Sequence, residues 1–130
     1  MKVVIADPDW RFAEQATSYL ESRAHLVVYQ PHPDEALAQA AHWQADLVIV
    51  AAELAGKGLL ESLYQLKPRP AVLLTGWMDR YTRVWRAWQR GGDELLMKPV
   101  FKSEELHLAI VTALENAAAG TSRRRAAVPA

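Results

Sequence analysis

The chain has no cysteine among its 130 residues. This absence excludes disulfide frameworks, thiolate nucleophiles and metal sites built on cysteine. Long apolar runs are also missing, because no run approaches the ~20 residues that a membrane-spanning helix needs. The opening residues, MKVVIAD, reach an acidic residue too early for a signal peptide. We therefore expect one cytoplasmic domain, since a chain of 130 residues can bury a sizeable core.

The chain also lacks net charge, because 15 basic residues balance 15 acidic ones. The balance is uneven along the sequence. Three of the basic residues, Arg123, Arg124 and Arg125, lie after residue 120. Residues 1–120 therefore carry 12 basic and 15 acidic residues, a net charge of −3. A mildly acidic body argues against nucleic-acid binding by this domain. Residues 119–130 show no periodicity, and we expect them to form a flexible tail or a truncated linker to an output module.

Apolar, β-branched runs alternate with stretches in which apolar residues recur at helical spacing. The run at 46–50 is continuously apolar after its first residue, which is typical of a parallel strand buried on both faces. Five strands that alternate with five helices predict a parallel sheet covered by helices on both faces. The predicted strands are 2–6, 25–29, 46–50, 71–75 and 94–97, and the predicted helices are 9–22, 34–43, 59–66, 78–90 and one that begins at 103. Asp34 and Ser103 are the predicted N-caps of the second and the last of these helices.

Chemistry-bearing residues lie at the carboxyl ends of the predicted strands, where ligands bind to such sheets. The sequences there are ADPD at 6–9, VAAE at 50–53, LTG at 74–76 and MKP at 97–99. This set resembles the response-regulator receiver domains of two-component phosphorelays. The resemblance covers residues 1–118 and implies a flavodoxin-like α/β fold. That fold is a (βα)5 three-layer sandwich whose parallel five-stranded sheet has the order 2-1-3-4-5.

In receiver domains the third strand ends in the aspartate that takes a phosphoryl group from a histidine kinase. The resemblance places Ala51 at that position. Attack on phosphorus needs an ionised carboxylate, so a methyl group there removes the covalent step. We therefore expect a degenerate pocket with no catalytic residue and no enzymatic activity. The other members of this pocket are Asp7, Asp9, Thr75, Lys98 and Pro99, the last of which corresponds to the family's cis proline.

Two further departures from the receiver pattern concern the metal and the switch. Pro8 replaces the second acid of the pair that holds Mg²⁺, and Leu95 replaces the aromatic switch residue of the fifth strand. A weak cation site formed by Asp7, Asp9 and Glu53 stays open as an interpretation, because carboxylate oxygens suit Mg²⁺. No other cofactor is expected. The departures together predict a pseudo-receiver.

Three members of the degenerate pocket need other roles. Asp7 fits a helix cap before Pro8, and we prefer this interpretation to that of a residual metal ligand. Thr75 fits a group that satisfies backbone at a strand end. Lys98 lacks the phosphoacceptor as a partner, and we expect it to pair with Asp7 because a buried unpaired ammonium is costly.

The predicted helix at 78–90 separates aromatic from cationic residues. At 100° per residue, Trp77, Tyr81 and Trp88 share one face, and arginines occupy the opposite face. We expect Tyr81 and Trp88 in the core and Trp85 at the edge of the aromatic stripe. An exposed tryptophan near arginines is typical of an interface, and the resemblance implies a partner surface on the fourth helix, fifth strand and fifth helix. This surface comprises Arg83, Trp85, Arg86, Arg90 and Leu95, with Glu104, Glu105 and His107 as acidic or polar counterparts.

Three functional hypotheses remain. The first is an atypical receiver module that acts in signal transduction by phosphorylation-independent protein–protein contact, including dimerisation. The second is a phosphoacceptor that uses a non-standard acid, Glu53 or Asp9. The third is the regulatory domain of a DNA-binding response regulator whose output domain lies beyond this sequence. We prefer the first, because Ala51, Pro8 and Leu95 remove the acceptor, a metal ligand and the switch together.

Overall fold

A computed structural model describes residues 1–56 and 58–120. Its strands are β1 (Lys2–Ala6), β2 (Leu26–Tyr29), β3 (Leu47–Ala51), β4 (Ala71–Trp77) and β5 (Glu94–Lys98). Its helices are α1 (Trp10–Ser22), α2 (Pro33–Trp43), α3 (Leu59–Tyr64), α4 (Tyr81–Arg90) and α5 (Ser103–Ala118). Short 3₁₀ turns follow β3 at Ala52–Leu54 and β4 at Met78–Arg80. The strands form one parallel sheet in the order β2-β1-β3-β4-β5, which confirms the predicted architecture.

The three central strands are buried on both faces, which explains their continuous apolar sequences. Every residue of β3 is buried, and β1 and β4 each have one partly exposed end. Alternate residues of a strand point to opposite faces. Ile49 and Leu73 accordingly pack with α1 and α5, whereas Val48 and Leu74 pack with α2, α3 and α4. The result is a helix–sheet–helix sandwich.

β4 is longer than the sequence predicts. It continues past Thr75 to Trp77, and this last residue pairs with Lys98 of β5. Gly76 therefore belongs to the strand and not to a loop. Its missing side chain lets α4 approach the sheet, because a methyl group at residue 76 would overlap both Cγ atoms of Val84, one of them at 2.8 Å. Trp77 and Lys98 are therefore neighbours on adjacent strands, at the carboxyl ends of β4 and β5.

Two predicted helix caps are wrong. His32 occupies the N-cap position of α2, because a proline takes the first helical position and Asp34 falls within the first turn. Ser103 is the first residue of α5 and not its cap. Glu105 instead reaches back to the start of that helix and accepts hydrogen bonds from backbone N–H groups at 2.8 and 3.3 Å. An acidic residue in the first turn satisfies amides that the helix leaves free.

A buried acid at the opposite end of the sheet is absent from the sequence-based predictions. Asp93 accepts two hydrogen bonds from Arg69, at 2.8 and 2.9 Å, and one from the Val72 N–H at 2.8 Å. The hydrogen bond with Asp93 raises the pKa of Arg69. This network joins the amino ends of β4 and β5. It stabilises the sheet at the amino ends of these strands, which are opposite to the predicted pocket.

The predicted tail at 119–130 falls almost wholly outside the part of the chain that the structure describes. The last helix ends at Ala118, and residues 121–130 are not described. Among the residues that are described, no helix has the length and apolar character needed to cross a membrane.

Candidate functional site

The carboxylate of Asp7 is the centre of the candidate site. Its Oδ2 accepts hydrogen bonds from Thr75 Oγ1 and Lys98 Nζ, both at 2.9 Å. Its Oδ1 accepts the backbone N–H of Asp9 at 2.9 Å. Asp7 and Thr75 are fully buried and Lys98 is 2% exposed. The ion pair confirms the predicted partner of Lys98. Thr75 bonds to a side chain and not to backbone, contrary to its predicted role.

The prediction that Asp7 caps α1 is wrong, because Asp9 takes that role. The Asp9 Oδ1 accepts hydrogen bonds from the backbone N–H groups of Arg11 and Phe12 at 3.2 and 3.3 Å. The helix begins directly after Asp9, so its free amides lie within reach of this side chain. The second oxygen of Asp9 lies 3.4 Å from Lys98 Nζ. Two carboxylates therefore share one ammonium.

Two aromatic rings enclose the Lys98 ammonium from its other sides. Its Nζ lies 5.1 Å from the ring centroid of Phe12 and 5.0 Å from that of Trp77. Cations at this distance from ring faces are attracted by the ring quadrupole. The sequence analysis did not assign either aromatic residue to the site. Phe12 belongs to α1 and Trp77 to the end of β4, and only the folded chain brings their rings next to Lys98. The bond between Lys98 and Pro99 is cis, as the resemblance implies.

Tyr29 is a further residue of the site that the sequence analysis did not predict. Its hydroxyl donates a hydrogen bond to the backbone carbonyl of Asp7 at 2.7 Å. Burial raises the pKa of the Tyr29 phenol, and the negative charges of Asp7 and Asp9 raise it further. The last residue of β2 thereby fixes the loop that carries both acids.

Ala51 ends β3 at the edge of this network. It is fully buried and pairs in register with Thr75. Glu53 follows in the 3₁₀ turn and is exposed. It lines a groove with arginines of α4 and has no contact with the buried ion pair. The strand end that faces Asp7 and Thr75 thus presents a methyl group and no carboxylate.

The residues present do not fit a magnesium ion. No group of three histidine or acidic side chains able to hold a metal occurs within the described ranges, so Asp7, Asp9 and Glu53 do not form the predicted cation site. Lys98 Nζ already occupies the space beside the Asp7 carboxylate at 2.9 Å. A divalent cation there would have to displace an ammonium of like charge. No Mg²⁺-dependent step follows from this geometry.

The arrangement of strands and helices matches solved structures, although family models and curated proteins gave no match. NtrX from Brucella abortus in complex with ADP is 23% identical with a TM-score of 0.78, and the alignment covers 92% of this chain and 27% of that one. A response regulator receiver domain protein from Clostridium thermocellum is 21% identical, with a TM-score of 0.73 over 91% of this chain and 97% of the other. The signal receiver domain of a putative LuxO repressor protein from Vibrio parahaemolyticus is 15% identical, with a TM-score of 0.73 and coverage of 92% and 93%.

The chain has the receiver fold. It spans about a quarter of the length of the NtrX chain, 27%, and nearly all of the two isolated receiver domains. Identities below a quarter of the aligned residues show a shared fold and leave the chemistry to be argued from the site.

In this receiver fold, the aromatic residues of α4 are divided between core and surface. Trp88 packs against the core, as predicted. Tyr81 is 57% exposed, so its predicted core position is wrong. Its ring stacks on that of Trp85, which is 43% exposed, with centroids 6.2 Å apart and an interplanar angle of 13°. The prediction failed because α4 begins only at Tyr81, and Trp77 belongs to β4.

The arginines of α4 are turned away from Trp85, with Arg83 almost opposite to it and Arg86 and Arg90 about 100° and 140° from it. Together with Glu53 they line a groove of about 290 Å³ between α4 and the turn after β3. A step of 100° per residue places Arg83 and Trp85 about 200° apart, so one partner cannot meet both through a single flat contact. The predicted surface is therefore two surfaces. Arg83, Arg86 and Arg90 form the first, here called the arginine groove, and Tyr81 and Trp85 form the second, the aromatic pair.

The predicted counterparts on α5 are partly engaged within the chain. His107 Nδ1 lies 2.6 Å from the hydroxyl of Tyr19 on α1, so it faces away from α4. Glu105 is held by the backbone at the start of α5. Glu104 is exposed, and Leu95 is half-buried against the core. Glu104 and Glu105 are both exposed to solvent, and Glu105 is in addition engaged by the backbone.

Proposed function

We propose that this receiver-fold domain acts in signal transduction through contacts with other proteins and without accepting a phosphoryl group. The observation that carries the proposal is the closed network of Asp7, Thr75 and Lys98 beside the methyl group of Ala51. A phosphoryl-accepting pocket needs a free nucleophile and a cation that can meet the incoming charge. Here the nucleophile is missing and the Lys98 ammonium is already neutralised.

The remaining acids support this reading of the pocket. Asp9 uses one oxygen to cap α1 and has the other near Lys98. Glu53 is exposed and separate from the ion pair. Because the residues that would bind Mg²⁺ are engaged or apart, neither acid has the metal that assists in-line transfer. Glu53 and Asp9 are the two acids that the alternative hypothesis, a non-standard phosphoacceptor, would use.

A phosphodonor assay tests the proposal directly. After incubation with acetyl phosphate and Mg²⁺, the intact mass of the protein should show no added phosphoryl group. Asp9→Ala and Glu53→Ala serve as controls. A gain that disappears in one of these variants would identify that acid as an acceptor. A gain that persists in both would show that the pocket is assigned wrongly.

The aromatic pair is the part of the surface best suited to a protein partner. Tyr81 and Trp85 are exposed, stacked on each other and flanked by polar residues. Exposed aromatic rings are enriched at interface centres, because they bury a large area at a small entropic cost. We infer that a second copy of the chain binds here, and that the arginine groove forms a separate contact.

Self-association should therefore depend on Trp85 and not on an unrelated exposed tryptophan. In sedimentation equilibrium we expect Trp85→Ala to weaken dimerisation by at least about tenfold, as loss of an aromatic hot spot does. Trp10→Ala is the matched control, because Trp10 is 60% exposed and lies outside this surface. Arg86→Glu tests the arginine groove separately. Unchanged association in both Trp85→Ala and Arg86→Glu would place the interface elsewhere.

A further inference from the structure

An open cavity of about 420 Å³ lies beside the buried ion pair, between the start of α1 and residues 98–100. Its walls include the rings of Trp10, Phe12 and Trp77. Cavities of this size whose walls combine aromatic and apolar side chains with a few polar groups are typical of small-molecule sites. The cavity is also at the carboxyl edge of the sheet, where ligands of open parallel sheets bind. None of the roles proposed above uses it.

The rim of the cavity is held in place by contacts within the chain. Gln15 Nε2 on α1 donates a hydrogen bond to the carbonyl of Val100 at 3.2 Å. The Trp77 ring is fixed against the Lys98 ammonium at 5.0 Å. Trp10, in contrast, is 60% exposed at the mouth of the cavity. A flat apolar ligand that covered this ring would gain the free energy of removing both surfaces from water.

Arg11 is the residue of the cavity lining that could pair with an anionic group on such a ligand. Asp9 is engaged by α1 and Lys98, and Lys98 is neutralised by Asp7. Arg11 forms no ion pair with any residue that the structure describes, and its guanidinium lies 5.4 Å from the Trp10 ring centroid. Asp7, Asp9, Lys98 and Arg11 together carry no net charge, but Arg11 is exposed and its guanidinium is beside an exposed aromatic face. A guanidinium binds a carboxylate or sulfonate through paired hydrogen bonds.

We propose that this cavity binds a small planar aromatic molecule that carries one acidic group. The aromatic part packs among Trp10, Phe12 and Trp77, and the acidic group pairs with Arg11. The site is independent of the proposed protein contacts, because the aromatic pair of α4 and the arginine groove share no residue with its lining.

Three probes separate the two parts of the proposal. They are 2-naphthoate, which has rings and a charge, 2-naphthol, which has the rings alone at neutral pH, and cyclohexanecarboxylate, which has the charge alone. Binding is followed by the indole N–H signals in ¹H–¹⁵N spectra of the intact chain. We expect 2-naphthoate to shift the Trp10 and Trp77 signals saturably, 2-naphthol to bind several-fold more weakly, and cyclohexanecarboxylate to cause no saturable shift.

Variants test the assignment of residues. Trp10→Ala and Arg11→Gln should each weaken 2-naphthoate binding about fivefold to tenfold. Trp85→Ala should leave it unchanged, because that ring is on α4 outside the cavity. Trp10→Phe keeps an aromatic face and should retain most of the affinity. The proposal is overturned if no probe binds saturably, or if Trp85→Ala weakens binding as much as Trp10→Ala. Equal affinities for 2-naphthoate and 2-naphthol would overturn the part of the proposal in which an acidic group of the ligand pairs with Arg11.

Discussion

Lys98→Met should lower the free energy of unfolding by about 3–5 kcal/mol, measured by urea denaturation at neutral pH. The substitution keeps an unbranched apolar chain between Phe12 and Trp77 but removes the ammonium. Asp7, which is fully buried, would then lose the cation 2.9 Å from its Oδ2. An uncompensated carboxylate in the interior costs far more than the pair contributes when intact.

Two controls show whether charge is the cause of that loss. Lys102→Met removes a lysine from an exposed position and should change stability by less than about 0.5 kcal/mol. The double variant Asp7→Asn with Lys98→Met should recover at least about half of the loss, because neither charge is then left alone. The carbonyl oxygen of asparagine can still accept the backbone N–H of Asp9, and its NH2 group can donate to the Thr75 hydroxyl, which accepts as well as donates. If Lys98→Met is as stable as the unmodified protein, the buried ion pair is not a structural element of this pocket.

Ala51→Asp should also destabilise the protein by about 3 kcal/mol or more at neutral pH. Residue 51 is fully buried beside Thr75, and the nearby ammonium is already paired with Asp7. A second carboxylate would share one cation with the first, which two like charges at close range do not tolerate. An aspartate at residue 51 would thus oppose the ion pair of Asp7 and Lys98.

Ala51→Asn separates the charge of this substitution from its volume. Asparagine has nearly the size of aspartate, so a purely steric cost would be equal in the two variants. An electrostatic cost should make Ala51→Asp the less stable of the two at pH 7. The difference should shrink as the pH falls towards about 3, because an aspartate with the ordinary pKa of about 3.9 is then mostly neutral in both the folded and the unfolded chain.

Magnesium gives the sharpest outcome for the same variant. We expect millimolar Mg²⁺ to leave the stability of Ala51→Asp unchanged, because Pro8 replaces the second acid of the family's pair and Lys98 occupies the oxygen of Asp7. A clear rise in the denaturation midpoint with Mg²⁺, absent in Ala51→Asn, would show that only the acceptor had been lost. The pocket would then be restorable and the proposal of a degenerate site would fail.

Much of the architecture could be predicted because parallel strands and their helices carry local signals. The apolar run that ends at Ala51 and the strand at 2–6 show strand patterns that need no distant partner. The residues at which strands and helices end were harder to predict. Strand β4 runs on to Trp77 because β5 offers it a partner and Gly76 admits Val84, and neither fact is visible in the local pattern.

The candidate site could be predicted only in part. The types of residue at the strand ends pointed to Asp7, Thr75 and Lys98, and chemistry alone required a partner for the lysine. The enclosing rings of Phe12 and Trp77 could not be foreseen, because their helical and strand positions suit a core equally well. The helical period also gave the arginines and Trp85 as separate faces of α4 without showing which neighbour each face meets.

The sequence by itself determined the alternation of strands and helices, and it placed a methyl group at the end of β3, the position that the resemblance assigns to a phosphoacceptor. Both are local properties that are written in consecutive residues. Only the tertiary structure decided that Lys98 and Asp7, 91 positions apart, neutralise each other in the interior. It also decided that Glu53 and the arginines of α4 line one groove, and that Tyr81 stacks on Trp85 at the surface. These features depend on long-range packing, because the side chains involved come together only when the strands pair into the sheet.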